Sequence, residues 1–292
     1  MDWYLIAFLS AILSALAAIS QKKILFDIEA LDFSLVLSIF NGLLALLLIP
    51  FIQFTEISSL SLVILYGKTI IGAIAFLFVM LAIKNLEISG ALPLMILTPA
   101  LVAISAFLIL GESISFGEIG GLGLLLFGIY ILETANFSNI FESFKVFRKS
   151  KYKHYLIGAV VLFTISTLID KYLLKNHQLA PVSFLFFQQI FLGINFIIIF
   201  SLKSGNPISL VKKVNLKLFI WIVLISLLTI GYRFSLLEAM KVAPVALVLS
   251  IKRTSIFFAA IIGGKLFSEH AILRKGIATF LMLAGVYFII GN

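Results

Sequence analysis

Apolar residues in this chain come in long, nearly unbroken runs, separated by short clusters of charged and turn-forming residues. Ten such runs stand at about 3–21, 33–53, 62–82, 87–110, 116–134, 155–174, 183–203, 217–240, 242–264 and 271–290. A helix needs roughly 20 mostly apolar residues to cross a bilayer, and each run approaches that length. Lipid leaves no partner for a bare backbone amide, so only helices and closed barrels span membranes. These runs are too long and too evenly apolar for the alternating strands of a barrel. The pattern predicts an all-α, polytopic membrane protein with ten transmembrane helices. The first run has no basic region before it and no small-residue cleavage site, so it reads as a retained helix rather than a signal peptide.

Composition sharpens this picture. Mean hydropathy is +1.20, and 12% of residues are charged, against about 25% in a soluble domain. No stretch is polar enough for a separate soluble domain. The net charge of +9 raises the question of nucleic acid. The cations lie in short loops between apolar runs, where they act as topology signals and contact lipid headgroups, so no nucleic-acid partner is expected. The chain has no cysteine, and its three histidines (His154, His177 and His270) are far apart and near run ends. No metal and no cofactor is therefore expected.

Within the first run, Ala7, Ala11 and Ala15, with Ser14 and Ala18, form stripes of small residues that allow close helix packing. The fourth run carries Pro93 and Pro99, which bend a helix and free backbone carbonyls; such breaks border sites in transporters or simply make packing kinks. Gly117 and Gly121 stand at GxxxG spacing, which favours a tight helix contact, either within the chain or across a homodimer. Residues 135–154 are the longest polar connection. Five cations and the helically spaced Phe137, Ile140, Phe141, Phe144 and Phe147 fit a short amphipathic helix on an anionic leaflet.

The chain also repeats itself. At a shift of 157, Ala82–Glu133 falls on Ala239–Ile290 without gaps, pairing Ala82 with Ala239, Lys84 with Lys241, Glu112 with Glu269, Gly128 with Gly285 and Tyr130 with Tyr287. Near the start of each half, Tyr4-Leu5-Ile6 falls on Tyr155-Leu156-Ile157 at a shift of 151. The expected units are therefore a five-helix repeat over 1–134, a basic connecting loop over 135–154 and a second five-helix repeat over 155–292. An odd number of helices per repeat forces the second to cross the membrane upside down. Inverted repeats place a substrate site near the midplane, between the halves.

Cations sort by side. Lys68, Lys171, Lys175 and Lys241 fall on the side of both termini, and fifteen fall on the other. The positive-inside rule then puts the central loop in the cytoplasm and both termini outside.

Chemistry concentrates in Val242–Gly264, where Lys252 and Arg253 sit side by side in an apolar run. A charge at that depth costs a few kcal/mol and normally faces a bundle interior or a wet cavity. Two readings stand. The pair binds an anionic substrate, or it is neutralised by Asp170 or Glu238. Arg233 is a third cation inside a run. Asp170 and Glu238 are the candidate counter-charges or coupling groups. Tyr232, Gln188, Gln189, Asn41 and Asn195, with Ser250 and Thr254, offer hydrogen bonds to orient a substrate; each also suits the role of interhelical glue. Glu112 and Glu269, at run ends, read as structural groups that cap the next helix.

Ten spans, two five-helix repeats, and Gly111-Glu112 with its partner Ser268-Glu269 resemble the drug/metabolite transporter superfamily of the EamA type, over essentially the whole chain. The Lys252-Arg253 pair is similar to the lysine-arginine pair with which the plastidic phosphate translocators hold a substrate phosphate. The resemblance implies a multi-pass protein of the plasma membrane that carries a small, anionic metabolite by alternating access, without enzymatic activity. Members of the superfamily are usually drawn with both termini in the cytoplasm, the opposite of what this chain's charge bias predicts. Two other functions were weighed. A flippase for an anionic lipid-linked substrate would use the same cations. A membrane-embedded enzyme would need an HExxH motif, a cysteine or paired intramembrane carboxylates, and the sequence has none of these.

Overall fold

Every described element of the chain is helical. The computed structural model describes residues 2–54, 57–98, 101, 116–133, 150–175, 177, 179–207, 210, 215–243 and 245–290. Pro99, Glu112 and the predicted amphipathic segment of the central loop lie outside these residues.

The first half contains α1 (Trp3–Ile24), α2 (Ala30–Ala45), α3 (Ser59–Asn85), α4 (Ile88–Ala91) and α5 (Phe116–Glu133). Helix α2 tightens into a 3₁₀ segment over Leu46–Phe51, and α4 does the same over Leu92–Ile96, with Pro93 in its first turn. The second half contains α6 (Lys151–Lys175), α7 (Pro181–Ser204), α8 (Leu216–Val242), α9 (Val245–Phe258) and α10 (Ile272–Ile290). Helix α9 continues through a π-helical turn, Ala259–Gly263, into Gly264–Leu266. Local chemistry fixes several ends. Pro181 opens α7, where its missing amide costs nothing. The Asn215 side chain caps α8 by accepting from the Leu218 amide at 2.8 Å. Gly205 closes α7 at φ 96°, a left-handed backbone that glycine adopts without strain.

Among the described residues, six helical stretches are long and apolar enough to cross a membrane on their own: Trp3–Ile24, Ala30–Phe51, Ser59–Asn85, Lys151–Leu174, Pro181–Lys203 and Leu216–Val242. Their outward faces carry large exposed apolar residues such as Leu47, Val63, Leu202 and Phe219, as a lipid-facing surface requires.

Packing follows the repeat. Helix α1 packs on α8 and α3 on α6; α2 meets α7, and α5 meets α10. Exchanging the halves turns the first pair into the second and leaves the other two unchanged. The match extends to single residues. A Cβ on Gly128 would meet Met282 and the Ala278 carbonyl, while one on Gly285 would meet Leu125 and the Gly121 carbonyl. These are the same contacts under the shift of 157. Likewise, Gly42 faces the Gln189 carbonyl and Gly193 faces the Ser38 carbonyl, at the shift of 151. In both pairs early residues of one helix meet late residues of the other, so equivalent helices cross antiparallel. Gly121 of the GxxxG pair therefore packs inside the chain. The small-residue stripe of α1 is buried at Ala7, Ala11 and Ala15, and Ser10 Oγ donates to the Tyr232 carbonyl at 2.7 Å.

Candidate functional site

A cavity of about 270 Å³ lies at the centre, lined by α1–α4 from the first half and α6–α9 from the second. It takes in Lys252 and Arg253 from α9, Tyr232 and Arg233 from α8, Gln188 and Gln189 from α7, Asn41 from α2 and Asp170 from α6. Helical periodicity explains α8: Tyr232, Arg233, Leu236 and Met240 recur every three to four residues and share one face. Glu238 stands off that face and does not line the cavity, against expectation. Asn195 does not line it either. It is buried behind Thr69, to whose Oγ1 it donates at 3.1 Å, and so joins α7 to α3. Thr254 donates to its own helix, at the Ile251 carbonyl, and also lies off the lining. The Ser250 side chain is outside the described residues.

Lys68 is the residue that sequence reasoning misplaced. It was expected among the cations at a membrane surface. Helix α3 starts at Ser59 instead of residue 62, so Lys68 lies nine residues inside a 27-residue helix. It is buried, and its ammonium stands 2.7 Å from an Asp170 carboxylate oxygen and 5.1 Å from the centre of the Phe184 ring. A lysine inside a continuous run from Ser59 to Asn85 was the available signal. This pairing gives Asp170 a cation other than Lys252 or Arg253. The acid neutralises Lys68 on α3, and among the described residues no carboxylate stands within 4.0 Å of Lys252 or Arg253.

The cavity thus gathers four cations (Lys68, Arg233, Lys252 and Arg253) around one carboxylate. Arg233 donates to Gln188 Oε1 at 3.3 Å. The Tyr232 ring lies between two cations, with the Arg233 guanidinium 5.8 Å and the Lys252 ammonium 5.5 Å from its centre. These are cation–π distances, so the ring offsets part of the cost of burying charge. Arg253 Nε, Asn41 Oδ1, Gln189 Nε2 and Thr229 Oγ1 are buried without a hydrogen-bond partner. Buried polar groups are normally satisfied, so these four are the lining atoms open to a hydrogen bond from the cavity.

The charges are not spread evenly along the helices. Lys68 lies nine residues after Ser59, Lys252 seven after Val245, Arg233 nine before Val242 and Asp170 five before Lys175. All four helix ends belong to the end of the bundle where α1 begins, as the 2.9 Å contact of Ser61 with His177 and the cluster of Ala7, Ala239 and Val248 show. The opposite half of the cavity carries uncharged polar groups: Ser14, Gln21, Ser34 and Ser38.

At that opposite end, polar contacts join the two halves. Glu269 accepts from the amides of Ile88 (2.6 Å) and Ser89 (2.9 Å) and from the Ser89 hydroxyl. It therefore caps α4 of the other half, and not the next helix as expected. Ser268 (φ 53°) and Ala271 (φ 51°) flank it in left-handed backbone, which turns the chain so that Glu269 reaches across. Glu87, in the connection between α3 and α4, takes Lys275 and His270. Burial would raise its carboxyl, but the hydrogen bonds from Lys275 and His270 and the lysine's charge outweigh burial and hold the pKa at about 2. Lys22 donates to the carbonyls of Ile83 (2.6 Å) and Leu86 (2.7 Å) beside this cluster.

Apolar helices wrapped around a charged cavity are the frame of a membrane protein with a polar interior. The pattern of the EamA-like transporter family matches residues 1–134 and again residues 153–291. The chain belongs to that family, a family of membrane transporters of small solutes and not of enzymes, and it is a multi-pass integral membrane protein. No curated protein matches it in sequence. Among 26 similar chains of solved structures is a crystal structure, described only as that of a protein, with 12% identity and a TM-score of 0.64; the likeness covers 98% of this chain and 95% of that one. At this identity it shows a shared fold and nothing more.

Proposed function

We propose that the protein is a secondary transporter of a small organic anion in the plasma membrane. The observation that carries this reading is the excess of cations in the cavity, four against one carboxylate. Burying unpaired charge is costly, and a site that retains such charge suits a partner of opposite sign. Arg253, with a free Nε, and Arg233 offer planar forks that bind two oxygens at once; Lys252 and Lys68 act as point charges. Gln188, Gln189, Asn41 and Tyr232 orient the rest of the ligand.

The ten helical segments cross the bilayer as two inverted five-helix repeats, 1–134 and 155–292, joined by the loop 135–154. The halves rock against each other and expose the cavity to each side in turn. The antiparallel crossings of α2 with α7 and α5 with α10 support this arrangement.

Uptake into proteoliposomes tests the reading. Labelled succinate, glycerol 3-phosphate, glutamate and uncharged glycerol should be compared, for wild type and for Lys252→Gln. Transport of at least one anion, lost in Lys252→Gln, is expected. Uptake confined to the neutral solute, or indifferent to Lys252→Gln, would exclude an anion carrier.

A further inference from the structure

We propose that Lys68 is a fourth anion ligand of the cavity, and that Asp170 is a resident carboxylate which an incoming oxyanion displaces from it. The proposal rests on the anion-carrier reading above and names how that site selects its ligand.

Three observations carry it. First, both residues line the cavity, but they are not equally covered: the Asp170 side chain is 25% exposed and that of Lys68 is 2%. The Asp170 side chain is therefore open to the cavity away from Oδ1, which is buried against Lys68, while the ammonium is held in the wall. Second, Lys68 has a second partner that stays when the acid leaves, because its ammonium lies 5.1 Å from the centre of the Phe184 ring. Third, Arg233 lies within electrostatic range of both members of the pair. A carboxylate that leaves Lys68 thus finds another cation nearby.

The energetics favour exchange over simple rupture. Removing one partner of a buried pair leaves a bare charge, which is strongly destabilising. Replacing a carboxylate by another oxyanion keeps Lys68 paired, and Arg233 stands near the displaced acid, so neither is left as a bare charge. Asp170 is then an internal competitor. It suppresses weakly bound anions and admits those that also engage Lys252 and Arg253. The pair also joins α3 of the first half to α6 of the second, so a ligand that breaks it loosens a contact between the halves. A carboxylate and a phosphate share the required chemistry, and the experiment separates them.

Binding of succinate and of inorganic phosphate should be measured by calorimetry on the full chain in nanodiscs. The proteins are wild type, Asp170→Asn, Lys68→Met with Asp170→Asn, and Lys252→Met. Displacement predicts that Asp170→Asn binds the preferred anion about tenfold more tightly, since one charge-assisted contact returns to the ligand. Adding Lys68→Met should abolish that gain. An unchanged or weakened affinity in Asp170→Asn, with wild type binding normally and Lys252→Met losing binding, overturns the displacement alone. Binding by wild type that Lys252→Met does not alter, or no binding of either anion, overturns the anion-carrier reading itself. Asp170→Ala guards against a variant that is merely unstable. Its Tm is measured with and without formate, whose carboxylate fits the place of the missing one. A larger rise in Tm than in wild type supports a site open to outside anions. No rise, or a chain that stays unfolded in formate, overturns the proposal.

Discussion

Arg253 brings a guanidinium into the cavity with Nε unpartnered, and the value of that group lies in its shape as much as its charge. Arg253→Lys keeps the charge and loses the fork. It should weaken binding of the transported anion by roughly 1–3 kcal/mol, the size of a hydrogen bond to a charged group. Titration of the purified variant against wild type checks this; equal affinity would mean that Arg253 acts only as a point charge. Much of the site was legible at this scale, because an ionisable residue inside an apolar run announces itself. Lys252, Arg253, Arg233, Asp170, Tyr232, Gln188, Gln189 and Asn41 all reach the cavity. Glu238 and Asn195 carried the same signal but point elsewhere. Facing depends on rotation about the helix axis, and in a helix apolar on all sides no periodicity reveals it. Lys68 carried the signal too, standing inside the 62–82 run, but was grouped with the cations of the loops.

Between helices, glycine sets how closely the axes approach. A Cβ on Gly285 would stand 2.6 Å from the Gly121 carbonyl oxygen and 2.9 Å from the Leu125 amide. Gly285→Ala should therefore force α5 and α10 apart and lower the Tm, whereas Gly120→Ala, with nothing within 4 Å, should not. Thermal unfolding in detergent compares the two; equal Tm values would mean that the crossing tolerates the extra atom. The contact was half visible beforehand. Gly128 and Gly285 stood out through the repeat, but GxxxG spacing alone does not say whether its partner is another helix or another molecule. The far-end junction makes a prediction about pH. Glu87 titrates at about 2 in the fold, below its ordinary value of 4.5. Its contribution is therefore complete above about 4.5 and fades as the pH falls towards 2. Glu87→Gln should lower the Tm at pH 7 and flatten its decline over that acid range. A variant that tracks wild type from pH 7 to pH 3 would show that the junction does not depend on this carboxylate.

At the scale of the whole molecule, moving Lys68 into the interior leaves the charge bias in place. Three cations, Lys171, Lys175 and Lys241, remain on the side of the termini against fifteen on the other. A phosphatase reporter fused after Asn292 should be active in the periplasm of a bacterial host; a fluorescent signal from a cytoplasmic reporter at that position would reverse the orientation. Residues 1–134 and 155–292, co-expressed as separate chains, should restore part of the uptake, and complete loss with both halves inserted would give the connecting loop a role beyond joining them. The all-helical class was readable because the bilayer permits so few structures; among the described residues six helical stretches are long and apolar enough to cross it. Their crossings were readable only where the repeat fixed one half from the other.

The polarity of the cavity, with its cations towards the end where α1 begins and neutral groups towards the other, has a kinetic consequence. The backbone repeats, but the chemistry does not: Lys252 and Arg253 fall on Met95 and Ile96 at the shift of 157. A ligand arriving from one side meets the charges early, and one from the other side meets them only after passing hydroxyl and amide groups. The two faces should therefore show different half-saturation constants for the same solute. A carrier with no energy source cannot favour a direction at equilibrium, so the face with the lower constant must also have the lower maximal rate. For an uncoupled carrier of this kind the gradient alone decides which way the solute goes, and unequal half-saturation constants on the two faces, measured in oriented vesicles, check it.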